Sequence, residues 1–424
     1  MRKIIKQSIF IGLILFFTII QTLVSQELLS EIKSKPIANI QQFNFESNIL
    51  EQNIEVNVYL PESYNETSEK HKYPIILLLE NEFFYQMTGI VKHLSSVDRM
   101  PESIVISFPK GFDKFYAPKV YTNGSNFWPE SWKQMPFDGN PDDFTSFLKN
   151  ELFKILNENY RIANYKMVIG TSVTATYPLH AFCNEPDLFQ AHIAISAGDI
   201  LGMGYTSNST FVDSVIERIK QEKKQRGHLY ICSSRSDVVD TEEIGENLVE
   251  LHNRIPSDLP DVYKIKSEVY EEETHYGVVI PAFISAMNTF FDQEKWDLDF
   301  REFEKESTNT LTNIDAYYKK LSTEYGFQIF PKTNRWNSGS SLKGSGKRLL
   351  RKEKNKEALE IFERIVEYTP NTPEAYYDLA IAYETVNQIE DAKNTIIKAI
   401  DIAEKHSSES VDKYKKFLIN LKTK

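Results

Sequence analysis

Five short, unbroken apolar runs, each followed by a stretch of helical period, constrain this chain more than any other feature. The runs are PIILLL at 74–79, IVISF at 104–108, MVI at 167–169, IAI at 193–195 and LYIC at 229–232. A strand with one wet face alternates apolar and polar residues. A run without alternation belongs to a strand buried on both faces. Helical spacing follows at 85–94, 144–159, 176–183, 211–224 and 242–253. Strands taking turns with helices predict a mostly parallel sheet covered by helices on both faces, an α/β fold. Residues 54–60 do alternate and stop at Pro61, as expected for a half-exposed strand.

The chain has 424 residues, enough for a large domain and an appendage. Its formal net charge of -11 offers no basic face for phosphates, which argues against a nucleic-acid partner. Cys183 and Cys232 cannot make a disulfide framework, and no Cys/His cluster has metal spacing; no metal or cofactor is expected. Both thiols sit in apolar runs and read as small buried hydrophobes.

Arg2, Lys3 and Lys6 precede an apolar stretch at 9–20, and Leu23, Val24 and Ser25 offer a cleavage site before Gln26. Residues 1–25 therefore read as a signal peptide, with an uncleaved anchor helix as the rival reading. No cysteine there could carry a lipid. The mature chain is expected in the periplasm or outside the cell, without a membrane-spanning segment.

The tail has another character. Residues 302–320 are highly charged, and 337–346 are rich in Gly, Ser and Asn, as in a linker. Ala358 and Ala392 then stand one repeat of about 34 residues apart, which pairs Gly346 with Ala380 and Phe362 with Ile396. Small residues where helices cross, with aromatic or aliphatic residues between them, resemble the tetratricopeptide repeat. A helix at 411–421 could cap the stack. The boundaries follow: 27–297 for the α/β body, 298–341 for a charged helix and linker, 342–424 for a small all-α domain able to receive a protein partner. The shift in composition predicts that the repeats can be cut away.

The chemistry begins at Gly170-Thr171-Ser172-Val173-Thr174, between a buried strand and a helical pattern. A sharp strand-to-helix turn exposes a serine hydroxyl and sets the next N–H, that of Val173, at a helix N-terminus, where it can steady an oxyanion. Asp237 then follows the strand at 229–232, and His275 the strand at 264–270. Serine, acid, histidine is the order such a sheet uses to orient a general base. Asp240 and Glu242 are alternative carboxylates. Phe127, Trp128, Trp132 and Phe137 could line a pocket above the site or pack a loop onto the body.

"SNILEQNIEVNVYLPESY" at 47–64, "YPIILLLENEFF" at 73–84, "DDFTSFLKNELFKILNENYRI" at 142–162, "FQAHIAIS" at 189–196 and "EEETHYG" at 271–277 together resemble the putative-esterase family, which includes esterase D-like and enterochelin esterase-like enzymes. The resemblance spans 42–292 and implies an α/β-hydrolase fold acting on a carboxylic ester through an acyl-enzyme. It implies Ser172 as nucleophile, His275 as general base, Asp237 as acid, and the N–H groups of Val173 and Glu82 as oxyanion donors. Several members carry tetratricopeptide-like tails. Three departures stand out. Thr174 replaces the second elbow glycine, Glu80-Asn81 replaces an Asp-Gly turn, and 111–119 lacks an arginine. Branched Thr174 in a crowded turn predicts a sluggish enzyme that Thr174→Gly would speed up. A non-catalytic binding scaffold, or acyl transfer to an alcohol by the same residues, are the rival functions. Siderophore esters, sugar esters and lipids are all open as substrates.

Overall fold

The computed structural model describes residues 39–110, 139–206, 208–221, 227–259, 263–305, 308–335, 339–406 and 408–423. The expected signal peptide at 1–25 and the aromatic residues Phe127, Trp128, Trp132 and Phe137 lie outside the described residues.

Eight strands form one sheet: β1 Ile40–Ser47, β2 Gln52–Tyr59, β3 Tyr73–Leu78, β4 Ile104–Ser107, β5 Ile162–Thr171, β6 Ala191–Ile195, β7 His228–Ser234 and β8 Ile265–Tyr270. Their spatial order is β1-β2-β4-β3-β5-β6-β7-β8. The strands from β4 to β8 in that order are parallel, while β2 is antiparallel to both β1 and β4. The apolar runs are the central strands, and alternate side chains of each reach opposite faces. Ile76 and Leu78 join one apolar cluster, while Ile75 and Leu77 join the other. β2 alternates buried and partly buried positions, in keeping with its place near the edge.

The first cluster is covered by α1 Phe84–Ser96, α7 Val279–Phe290 and α8 Thr310–Tyr325. The other face carries α2 Pro141–Phe147 and α3 Phe153–Asn159, joined by one π-turn, then α4 Thr176–Asn184, α5 Phe211–Gln221 and α6 Glu242–Arg254. Helices on both faces of a mostly parallel sheet make the α/β-hydrolase arrangement.

The tail is helical: α9 Leu342–Arg351, α10 Asn355–Tyr368, α11 Pro373–Thr385, α12 Ile389–Lys405 and α13 Val411–Lys422. The small residues fall where helices meet. A Cβ on Gly346 would lie 2.8 Å from the Phe362 ring, so glycine lets α9 settle against α10. Ala358, Ala380 and Ala392 are fully buried. The glycine-rich stretch runs into helix α9, which takes in 344–346 and begins at Leu342.

The seam between body and tail has an apolar centre. Leu342, Leu349, Ile361 and Phe362 belong to the same apolar cluster as Ile76, Met167 and Phe283. Backbone bonds cross it, from Ser68 N–H to the Tyr368 carbonyl at 2.9 Å and from Asn371 N–H to the Glu66 carbonyl at 3.4 Å. Arg335 pairs with buried Asp98 at 2.9 Å. Glu304, with a side chain only 1% exposed, meets Arg348 at 2.6 Å and Lys352 at 3.0 Å and accepts from Ser345 at 3.0 Å. The repeats share a core with the body, against the clean separation that composition alone suggests. None of the described helices is long and apolar enough to cross a membrane.

Candidate active site

Parallel strands bring their C-terminal ends to one edge of a sheet, where side chains from distant sequence can meet. Here β5, β6, β7 and β8 are neighbours and end in Thr171, Ile195, Ser234 and Tyr270. Ser172, Ser196, Asp237 and His275 all follow these ends.

Ser172 opens a single 3₁₀ turn, Ser172–Ala175, between β5 and α4. Its φ is +57°, a left-handed backbone that a non-glycine residue adopts only under constraint. The constraint is visible at Gly170. A Cβ there would stand 2.3 Å from the Thr174 carbonyl oxygen, so the chain can double back only because position 170 is glycine. Crowding therefore falls on Gly170, while the Thr174 side chain is buried and bonded. Its hydroxyl accepts from the Thr171 N–H at 2.9 Å and faces a Glu80 carboxylate oxygen at 2.9 Å and the Thr171 carbonyl at 3.0 Å. The Thr174 hydroxyl is thus part of the turn.

Asp237 sits in the turn Arg235–Asp240 after β7, held by a reciprocal cap. The Asp237 N–H donates to the Ser234 hydroxyl at 3.2 Å, and the Ser234 N–H donates to an Asp237 carboxylate oxygen at 3.2 Å. The other Asp237 oxygen lies 2.9 Å from His275 Nδ1. Burial works to raise the Asp237 carboxyl, but its bonds to His275 and Ser234 outweigh burial and hold it below the usual carboxylate range. The same hydrogen bond pushes His275 above the ordinary imidazole range, against the pull of its own burial. An ionised Asp237 accepts the Nδ1 proton and leaves Nε2 as the basic nitrogen of neutral His275. Of the three candidate carboxylates, the geometry joins Asp237 to the histidine.

Sequence reasoning did not single out Ser196 or Asp199. Ser196, at the end of β6, has φ +53° and donates to the His275 carbonyl at 2.6 Å, pinning the histidine loop to the sheet. Asp199 follows, pushed up to about 6 by burial and lowered in part by the charge of His275. A polar residue just past the end of a central strand was the available signal for both.

Glu82 lies in the 3₁₀ turn Asn81–Phe83 after β3, and Asn81 fixes that turn. Its side-chain oxygen accepts from Asn57 at 3.0 Å and from Ser107 at 2.8 Å. Aromatic rings flank this edge. Tyr276 is 59% exposed, its ring edge-on to His275 and 6.4 Å from Phe83, and Tyr85 is 71% exposed. Cys232 is buried and Cys183 partly so, and both are free.

Residues 47–247 match the family described as putative esterase, and residues 349–409 match a tetratricopeptide repeat. Among solved structures, the chain is similar to an IroE-like serine hydrolase from Shewanella oneidensis, at 18% identity and a TM-score of 0.55, over 77% of this chain and 97% of that one. It is also similar to an uncharacterised protein from Capnocytophaga ochracea, at 14% identity and a TM-score of 0.52, over 91% of this chain and all of that one. At these identities the likeness is one of fold. The second covers so much of the chain that it takes in helical tail as well as body. No curated protein matches.

Proposed function

Since the chain belongs to the putative-esterase family and carries a tetratricopeptide repeat behind its hydrolase fold, we propose that it is an exported serine esterase working through an acyl-enzyme. The observation that carries this reading is the 2.9 Å pairing of Asp237 with His275, on the sheet edge where Ser172 is held at φ +57°. In this reading Ser172 Oγ attacks the ester carbonyl while its proton passes to His275 Nε2. The imidazolium that forms is stabilised by Asp237. The N–H groups of Val173 and Glu82 bear the negative oxygen of the tetrahedral intermediate. Collapse expels the alcohol, which takes its proton from His275. Water then repeats the sequence on the acyl-Ser172 ester and releases the acid. Nothing in this cycle calls for a metal.

Tyr276 beside His275, with Phe83 packed on it, favours esters with an apolar or aromatic portion. The repeats offer a surface for a protein partner, and the basic-then-apolar leader supports export.

A fluorophosphonate probe tests the mechanism. Ser172 should take up one equivalent, and Ser172→Ala should lose both labelling and turnover of a short-chain aryl ester, by a factor on the order of 10⁶ in kcat. Undiminished hydrolysis by Ser172→Ala would overturn the assignment.

A further inference from the structure

The two oxyanion donors assigned above come from turns far apart in sequence. Val173 belongs to the nucleophile turn, and Glu82 to the turn after β3. An oxyanion site works only if its donors keep a fixed separation, to within about 0.5 Å. The sheet aligns the two strands, with the Leu79 N–H donating to the Ile169 carbonyl at 3.0 Å, but that bond lies below both turns. Above it, a side-chain hydrogen bond joins Thr174 to Glu80, 2.9 Å across a sequence separation of 94 residues.

Resting on the serine-esterase reading, we infer that Thr174 and Glu80 form a strap between the nucleophile turn and the oxyanion turn, and that both are positioning residues for the oxyanion site. The hydroxyl of Thr174 accepts from the Thr171 N–H, so its one proton is left for the Glu80 carboxylate or the Thr171 carbonyl. A bond to a carboxylate is charge-assisted and the stronger of the two. The strap therefore grips the residue just before Ser172 at one end. At the other it grips the residue that caps the turn bearing Glu82. Asn81, the next residue, ties the same turn to Asn57 in β2 and Ser107 in β4. Two of the three motif departures, at Thr174 and at Glu80, each supply one half of a contact that glycine at 174 could not make. This reverses the sign expected from bulk alone: glycine at 174 would free the turn and slow the enzyme.

The test uses the full mature chain, p-nitrophenyl acetate as substrate, a fluorophosphonate for the serine, and thermal melts in parallel. Thr174→Val keeps the shape of threonine and removes the strap. It should lower kcat by about 10- to 100-fold, the scale of displacing one oxyanion donor, with KM within about twofold. Thr174→Ser should restore kcat to within about threefold of wild type. Glu80→Gln should fall between them, and Glu80→Gln combined with Thr174→Val should be no slower than Thr174→Val alone. Multiplying losses in the double variant, no rescue by serine, or wild-type kcat in both Thr174→Val and Glu80→Gln would overturn the strap while leaving the esterase intact. Should Thr174→Val not fold, the Thr174→Ser and Glu80→Gln arms decide by the same criteria. A wild-type protein that neither labels nor hydrolyses would sink the esterase reading, and the strap with it.

Discussion

The strand-end site and the seam between body and repeats both join parts of the chain that are distant in sequence, yet they are held in opposite ways. At the site, the contacts are directional: Asp237 to His275, Ser196 to the His275 carbonyl, Thr174 to Glu80. Two non-glycine residues there, Ser172 and Ser196, keep φ above +50°. At the seam, apolar side chains from α9 and α10 continue the cluster that backs the sheet, with buried ion pairs at its rim. Hydrophobic contact scales with area and tolerates small shifts. A hydrogen-bonded reacting group loses its purpose when moved by an ångström. Changes at the site should therefore spare stability and destroy rate, and changes at the seam should do the reverse.

The sharpest way to break this contrast is to remove the tail. Truncation after Lys332 strips away Leu342, Leu349, Ile361 and Phe362, buried side chains worth about 1.5–3 kcal/mol each. The truncated protein is expected to aggregate or melt without cooperativity. A soluble, cooperatively melting, active fragment would show that body and repeats are separate after all.

Next in size is Asp237→Asn. Loss of the carboxylate frees His275 to take the wrong tautomer, at a cost of about 10⁴ in kcat, or about 5.4 kcal/mol on the barrier. The melting temperature should move little. The pH profile sharpens the test. His275 must be neutral to act as base, and its pKa is raised, so kcat/KM of the wild type should fall on the acid side through a limb above 6.5. The pair's contribution to stability has the opposite sign for the base. It is present below the unfolded histidine pKa and fades as pH rises through the raised one. Removing the carboxylate should pull the limb downward. A limb that stays in place would mean that Asp237 does not govern this histidine.

The smallest of these effects belongs to the seam. Glu304→Ala leaves Arg348 without its buried partner and should cost about 3–5 kcal/mol of stability. Specific activity per folded molecule should be unchanged at temperatures well below the melt. A rate that dropped with intact stability would place the seam in communication with the site.

The central strands were legible because burial on both faces leaves unbroken apolar runs, as at Ile75-Ile76-Leu77-Leu78. β1 was not, since its apolar residues, Ile40, Phe43 and Phe45, keep no steady period on an exposed edge strand. Ser172, Asp237 and His275 could be picked out because each follows a strand, and topology carries strand ends together. What a single local window cannot hold is a partnership across the fold. Thr174 looked like an intrusion until Glu80, from another strand end, was seen to receive its hydroxyl. Gly346 could be placed in the repeat by its spacing to Ala380, but its partner Phe362 could not be seen from that window.

The bond from the Ser68 N–H to the Tyr368 carbonyl closes a stretch of 300 residues (368 − 68). A ribosome adding about 5–20 residues each second needs roughly 15–60 s to make the stretch between them. Throughout that interval the side of the body against which α9 and α10 will pack is without its final covering. A chain built this way either keeps its body incompletely docked until the tail emerges or depends on a holding partner meanwhile. Long-range closure of this kind also predicts slow refolding from denaturant, with hydrolase activity regained no sooner than the helical tail docks.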